Sequence, residues 1–277
     1  MRAVLGIDAA WTKRQPSGVA LLVEGRRGWR CAGLAPSYAD FVRVAEGEGV
    51  DWARPRVDGG VLDAEALVRA VRRLAPKAKL LAVGVDMPLA RRPVTRRRPC
   101  DDEISRRFGK AKCGTHSPTP ERPGRLSADV RRAFEVAGLA LAVRPGSPRP
   151  AVLEVYPHVA LLTLTNSEVR LQYKVARNRK FWPGLDPSER RQRLLDEWKR
   201  ILRALRREVT FELDLPARPE TFSGLKRYED AIDALVCAWM AREFLLGRAE
   251  PVGDDFAAIW VPRAEVRVRQ PRRLRSR

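Results

Sequence analysis

Five carboxylates stand where a folded chain usually buries hydrocarbon, and their positions suit them to shared chemistry. Three of them end strand-like apolar runs or lie within one, and two lie on an apolar helix: Asp8, Asp86, Glu154, Asp230 and Asp233. A buried carboxylate without a partner is costly and tends to take up a proton. Several in one chain therefore indicate a shared cation, and oxygen ligands of this kind suit Mg²⁺ or Mn²⁺.

The pair on the helix is the most informative part of this set. Asp230 and Asp233 are three residues apart, so they share one face of a helix predicted over residues 225–246. The rest of that segment is apolar almost all round, which is typical of a buried helix. The alternative is that Asp230 forms an ion pair with Lys226, four residues earlier, on an exposed first turn.

The three strand carboxylates have simpler alternatives when each is taken alone. Asp8 and Asp86 each follow an apolar run and could be ordinary turn residues at a strand end. Glu154 lies within Ala151–Tyr156, and glutamate is unfavourable in a strand. A salt bridge from Glu154 to a nearby arginine, Arg144 or Arg149, is its alternative. The coincidence of all of these acids in one chain favours a metal site.

Such a site predicts phosphodiester hydrolysis by two metal ions about 3.5–4 Å apart, which activate a water and stabilise the leaving oxygen. Asp8 is the best candidate to bridge both ions. Asp86 and Glu154 would hold one side, and the helix pair would hold the other. We therefore expect a Mg²⁺-dependent (or Mn²⁺-dependent) nuclease with two ions and all five acids as ligands.

The chain has only two histidines, His116 and His158, which argues against a Ser-His-Asp hydrolase. His158 follows Glu154 by four residues and could orient a water or carry a proton. A structural role at the start of a helix after Pro157 is the alternative. We treat His158 as an auxiliary candidate.

The elements that must position these acids follow from the apolar runs. They predict strands near residues 2–8, 17–24, 29–34, 80–85 and 151–156, and a further short strand within 253–262 is left open. Helices are predicted near 63–74, 127–137, 187–208 and 225–246. The order gives an α/β fold: a ribonuclease H-like mixed five-stranded sheet, with three antiparallel strands followed by parallel ones, flanked by helices. The acids then meet at the carboxyl ends of the parallel strands, where ligands of open sheets bind.

Charge indicates the kind of partner. The chain of 277 residues has 54 Lys and Arg against 34 Asp and Glu, a net charge of +20. Such an excess favours nucleic acid, DNA or RNA, although a coding bias toward arginine is an alternative source. Trp11 could stack on a base, with core packing as its alternative. The residues that we expect to contact phosphates are Arg96, Arg97, Lys110, Lys112 and Lys174.

The length fits a single domain over residues 1–262, with an Arg-, Pro- and Gly-rich insertion at about 90–150. Residues 263–277 form a basic tail that we expect to be disordered. The sequence has no signal peptide and no apolar stretch of about 20 residues, so we expect a cytoplasmic protein with no membrane association. The four cysteines form no Cys-x-x-Cys pair, although Cys100, Cys113 and His116 could supply three zinc ligands.

Six short segments together resemble a prokaryotic domain-of-unknown-function family whose members are catalogued as predicted ribonuclease H-like nucleases. The segments are Gly6-Ile7-Asp8-Ala9-Ala10-Trp11, Ser17-Gly18-Val19-Ala20, Val85-Asp86-Met87-Pro88-Leu89, Arg98-Pro99-Cys100-Asp101, Glu154-Val155-Tyr156-Pro157-His158 and Asp230-Ala231-Ile232-Asp233-Ala234-Leu235. The resemblance runs from residue 3 to about 262. It implies the ribonuclease H-like fold and a metal-dependent nuclease, and it suggests auxiliary roles for Arg98 and Asp101, with a structural Arg–Asp pair as the alternative. The Asp230/Asp233 spacing also resembles that of Holliday-junction resolvases, which makes a homodimer an expectation.

Two other hypotheses about the function remain open. One is a nucleic-acid-binding protein with an inactive ribonuclease H-like site. The other is a phosphate- or nucleotide-handling enzyme of the actin/sugar-kinase-like fold, which Gly6-Ile7-Asp8 followed by Thr12-Lys13 weakly favours. Against it, Ala10 stands where that phosphate loop needs glycine. The sequence leaves open whether a substrate is DNA or RNA, and duplex, branched or single-stranded.

Overall fold

The computed structural model describes residues 1–54, 56–217 and 220–263 of the chain. Of the predicted tail, residues 263–277, all but residue 263 lie outside the described residues. Within them, no helix has both the length and the apolar character that crossing a membrane requires.

The sheet begins with the antiparallel meander that the sequence predicts. Strand β1 (Arg2–Asp8) pairs with β2 (Gly18–Gly25), and β2 pairs with β3 (Gly28–Ala35). Strand β4 (Lys79–Val85) then pairs with β1 in parallel. The mixed antiparallel and parallel order of the prediction is therefore confirmed for this half of the sheet.

The predicted number of strands, five, is wrong: the sheet has nine. The strand that carries Glu154 is β6 (Ala151–Val155), and four further short strands complete the sheet. Their bounds are Ala140–Leu141 for β5, Val209–Thr210 for β7, Ala249–Gly253 for β8 and Ala258–Pro262 for β9. The strand order is β7-β3-β2-β1-β4-β6-β9-β8, and β5 also pairs with β6. Strands of two residues carry too little alternation of apolar and polar side chains to be recognised in a sequence.

Eight α-helices flank the sheet within the described residues. Their bounds are Tyr38–Ala45 (α1), Ala64–Leu74 (α2), Pro99–Phe108 (α3), Arg125–Val136 (α4), Pro157–Thr165 (α5), Asn178–Phe181 (α6), Pro187–Arg206 (α7) and Phe222–Leu245 (α8), and a 3₁₀ turn spans Val175–Arg177. Asp63 caps α2 by accepting from the Ala66 amide, which agrees with the predicted start of this helix near residue 63. Helix α8 begins three residues earlier than predicted, because Thr221 accepts from the Gly224 amide and caps it.

Helix α8 lies directly on the sheet along three glycines, one on each of the strands β1, β2 and β4. A Cβ at Gly6 would stand 2.1 Å from the Ala234 carbonyl oxygen, and one at Gly84 would stand 2.5 Å from the Cys237 carbonyl oxygen. A Cβ at Gly18 would likewise stand 2.1 Å from the Asp230 carbonyl oxygen. Helix backbone therefore contacts strand backbone with no side chain between them. We call these three residues the glycine seam.

The glycine seam positions the acids. Gly18 is the register partner of Asp8 across β1 and β2. Because the backbone of Asp230 lies against Gly18, the turn of α8 that carries both aspartates lies over the carboxyl end of β1.

The basic segment 90–150 is not a loose arm. It contains α3 and α4, and its apolar residues form a small core with β9, which includes Cys100, Ile104, Cys113 and Ile259. Folding of this segment against the sheet edge brings Thr115–Arg122 to the side of the sheet where β1 and β4 end.

Candidate functional site

Asp8 and Asp86 stand side by side at the ends of two neighbouring parallel strands. Ile7 and Val85 are register partners, and the Asp86 amide donates to the Ile7 carbonyl oxygen at 2.9 Å. Both side chains are half-buried. Among the described residues, neither carboxylate accepts a hydrogen bond or forms an ion pair. Burial, and then the charge of Asp8, raises the pKa of Asp86 well above its usual value.

Asp230 is buried and paired. Lys226, one helical turn earlier, contacts Asp230 Oδ1 and also lies 3.1 Å from Glu229 Oε1. The ion pair that the sequence left as an alternative is present, but Asp230 lies in the interior rather than on an exposed turn. The second oxygen, Asp230 Oδ2, is buried without a hydrogen-bond partner among the described residues. Burial raises the pKa of Asp230 well above its usual value, and Lys226 opposes that shift.

Asp233 is fully buried and holds two donors. The Tyr173 hydroxyl donates to Asp233 Oδ1 at 2.7 Å, and the Lys174 ammonium contacts Oδ2. Lys174 Nζ also lies 3.5 Å from Glu229 Oε1. Burial raises the pKa of Asp233 to about 6, while Lys174 acts to lower it. We call Lys174, Lys226, Glu229, Asp230 and Asp233 together the lysine–carboxylate cluster.

Glu154 lies beside Asp86, on the adjoining strand, but its two oxygens face an arginine. Arg98 donates from Nη1 to Glu154 Oε2 at 2.6 Å and from Nη2 to Oε1 at 2.7 Å. The Leu89 amide donates to Oε2 at 2.7 Å. Burial raises the pKa of Glu154 to about 7 against the lowering effect of Arg98. The salt-bridge partner of Glu154 is therefore Arg98, and the alternative partners considered from the sequence, Arg144 and Arg149, are wrong.

Every N–H of the Arg98 guanidinium donates a hydrogen bond. Besides Glu154, it donates to both oxygens of Asp101 at 2.9 Å and to the Leu89 carbonyl oxygen at 3.0 Å. The structural Arg98–Asp101 pair, left open by the sequence, is thus present with Glu154 as a third member. We call Arg98, Asp101 and Glu154 the buried triad.

His158 is buried near the start of α5, directly after Pro157. Its Nε2 lies within hydrogen-bond distance of the Arg170 guanidinium. Burial, and then the charge of Arg170, lowers the pKa of His158 well below its usual value. The imidazole is therefore neutral and accepts from Arg170.

A cleft opens above these acids. It consists of two adjoining pockets of about 300 Å³ and about 580 Å³, with Trp11, Asp86, His116, Arg122 and Arg177 in the walls of both. Asp8 lies in the larger pocket, and Lys174, Glu229 and the buried triad line the smaller one. The cleft thus combines carboxylates at its base with cations along its walls.

The walls of the cleft carry the groups suited to a polyanion. Arg122 lies over the Trp11 ring, 5.8 Å from its centroid. Arg177 Nη2 lies 3.3 Å from His116 Nε2. Arginine side chains with exposed N–H groups contact phosphates, and an aromatic ring in the same cleft can stack on a base.

The structure distributes the predicted phosphate-contacting residues differently. Arg97 donates to Ser105, Asp101 and Thr115 and pairs with Asp102, so it ties α3 to the following loop. Three others are exposed: Arg96, Lys110 and Lys112. Lys174 belongs to the lysine–carboxylate cluster.

Four residues of the site escaped the sequence reasoning: Arg122, Arg170, Tyr173 and Glu229. Glu229 precedes Asp230 on an apolar helix, so its acidic character was a signal of the same kind as that of the aspartates. The other three come from irregular segments, whose path a sequence does not indicate.

No three His, Cys, Asp or Glu side chains of residues 1–54, 56–217 and 220–263 are arranged as a ready-made metal site. That statement covers Cys100, Cys113 and His116 as well as the carboxylates. Among the five predicted acids, Glu154, Asp230 and Asp233 form ion pairs with an arginine or a lysine.

The chain belongs to the family described as "Protein of unknown function (DUF429)", whose model matches residues 6–258. The match includes all five predicted carboxylates, the lysine–carboxylate cluster and the buried triad. No curated protein matches the chain, and no solved structure does.

Proposed function

We propose that this member of the family is a metal-dependent nuclease, a hydrolase of nucleic-acid phosphodiester bonds, with Asp8 and Asp86 as ligands of a divalent cation. One observation carries the proposal. Two carboxylates at neighbouring strand ends accept no hydrogen bond and form no close ion pair among the described residues, and they face an arginine-lined cleft.

The donor set fits magnesium. Mg²⁺ keeps several waters and binds through one or two carboxylates together with substrate phosphates, rather than in a closed protein cage. Asp8 and Asp86 supply those two carboxylates. Asp8 is also the acid whose charge raises the pKa of Asp86, Asp230 and Asp233, which makes it the centre of the acidic group. When bound, the cation would polarise a phosphate oxygen and acidify a coordinated water.

The chain's own residues supply the remaining functions. Arg122 and Arg177 would neutralise phosphates on either side of the scissile bond, and Trp11 would stack on a base. His158, neutral and already accepting from Arg170 at Nε2, would form part of the cleft wall rather than act as an acid. The net charge of +20 would favour encounter with the polyanion.

The test is a cleavage screen with a matched substitution. The chain is incubated with Mg²⁺, Mn²⁺ or EDTA and with labelled single-stranded DNA, duplex DNA, RNA and a four-way junction. We expect cleavage that EDTA abolishes and that Asp8→Asn removes, while nucleic-acid binding persists or tightens because a repelling charge is lost. Asp196→Asn is the control, since Asp196 is an exposed acid of α7 that pairs with Lys199.

Equal cleavage by the Asp8→Asn and Asp196→Asn variants would refute the role of Asp8. A protein that binds these nucleic acids but neither cleaves them nor takes up Mn²⁺ would instead be a binding protein with an inactive site. The compensation of Asp230 and Asp233 by lysines is the observation that favours this second candidate.

A further inference from the structure

We infer that the site takes one divalent cation rather than the two expected from the sequence, because Lys174 and Lys226 occupy the position on α8 where a second cation would bind. The inference rests on the proposed function and narrows it. It assigns the two lysines as positioning residues that hold the helix carboxylates in place of a metal.

The first argument is geometric. Both ammonium groups contact the same oxygen, Glu229 Oε1, at 3.1 Å from Lys226 and 3.5 Å from Lys174. Each lysine also contacts one aspartate, Asp230 or Asp233. The two ammonium groups therefore occupy the space around the helix carboxylates that a metal ion on α8 would need.

The second argument concerns the oxygen atoms. Of the six carboxylate oxygens of Glu229, Asp230 and Asp233, five have donors or cations from the protein: the Val175 amide, the Tyr173 hydroxyl and the two ammonium groups. Asp230 Oδ2 is the one without a partner among the described residues. A metal on α8 would have to displace donors that are already in place.

The third argument is charge. With every group ionised, the three helix carboxylates and two lysines of the lysine–carboxylate cluster carry a formal charge of −3 + 2 = −1. Asp8 and Asp86 add −2, which one divalent cation neutralises. A second divalent cation beside two retained ammonium groups would bring like charges close together in a partly buried site, which is unfavourable.

The two groups of acids therefore have different roles in the site. Asp8 and Asp86 would hold the metal that contacts the reacting phosphate, while the lysines hold the acids of α8. Arg122 and Arg177 in the cleft walls would then neutralise the extra negative charge of a bound phosphodiester.

The experiment counts metal ions independently of activity. The metal-free full-length chain is titrated with Mn²⁺ by calorimetry, and bound Mn²⁺ is counted by electron paramagnetic resonance. We expect one ion per chain, lost in the Asp8→Asn variant. Lys226→Met removes one ammonium group at similar length and should admit a second ion. Lys199→Met is the control, since Lys199 is an exposed lysine of α7 and should leave the count at one.

The outcomes separate the two proposals. Two ions on the unmodified chain would overturn this inference and leave the proposed nuclease standing. No ion at millimolar Mn²⁺ would overturn both. If Lys226→Met does not fold, as judged by circular dichroism, the count on the unmodified chain still decides.

Discussion

Replacing Arg98 by methionine should strongly destabilise the fold, because Arg98 is the only cation of the buried triad in the described structure. The substitution keeps the length of the side chain but removes all five N–H donors. It leaves Asp101 and Glu154 buried without their ion-pair partner, and the Leu89 carbonyl oxygen without its side-chain donor.

The expected magnitude follows from that geometry. Removing one partner of a buried ion pair costs about 3–5 kcal/mol, because the remaining charge is uncompensated. The loss is bounded from above, since Glu154 keeps the Leu89 amide and can take up a proton. At about 2–4 °C per kcal/mol, the melting temperature should fall by roughly 6–20 °C.

The assay is urea unfolding followed by circular dichroism at two pH values. Because the pKa of Glu154 is raised to about 7, the carboxyl is largely neutral at acidic pH and the ion pair is weaker there. The loss of stability should therefore be larger at a pH about two units above 7 than at a pH about two units below it. Arg125→Met is the control: the Arg125 side chain is 89% exposed and only approaches Asp129 at 3.7 Å, so the change should stay within about 0.5 kcal/mol.

A loss below about 1 kcal/mol at neutral pH, equal to that of Arg125→Met, would refute the reasoning. It would mean that Glu154 is not held by Arg98 and is free to bind another cation. The role of Glu154 as a metal ligand would then regain support.

Two further substitutions test the scaffold and its pH response. Gly18→Ala places a Cβ 2.1 Å from the Asp230 carbonyl oxygen, so we expect a loss of about 1–3 kcal/mol in urea unfolding and weaker Mn²⁺ binding; Gly60→Ala, with open space around it, should change neither. Glu154→Gln tests the raised pKa: the folded protein keeps a proton on Glu154 that the unfolded chain releases between pH 4.5 and about 7, so ionisation lowers stability as the pH rises through that window. As the pH rises through the window, the unfolding free energy of the variant should increase relative to that of the unmodified chain by up to about 3 kcal/mol. Equal pH dependence of the two unfolding free energies would contradict the raised pKa.

The central half of the fold could be predicted because its signals are local. Alternating or continuous apolar runs identify β1 to β4, Asp63 identifies the start of α2, and the apolar segment around Asp230 identifies α8. Strands β5 and β7 escaped because they have two residues each, and such strands form only where the rest of the sheet offers a partner.

The site was predictable in its acids but not in their partners. A carboxylate at a strand end is visible in a sequence, and its convergence with others follows from parallel strand order. The partners are not: Arg98 lies 56 residues from Glu154, and Lys174 lies 59 residues from Asp233. Which acid a cation reaches depends on the path of irregular segments, and this separates Asp8 and Asp86 from the acids that are already paired.

The glycine seam also determines which part of the molecule can move. Because α8 touches the strands through backbone atoms, it can neither slide nor roll without breaking contact with Gly6, Gly18 and Gly84 together. The side of the cleft that α8 and the strands form is therefore rigid. If the cleft widens to admit a bulky polymer, the opposite side must move. That side contains His116 and Arg122, on the irregular chain between α3 and α4.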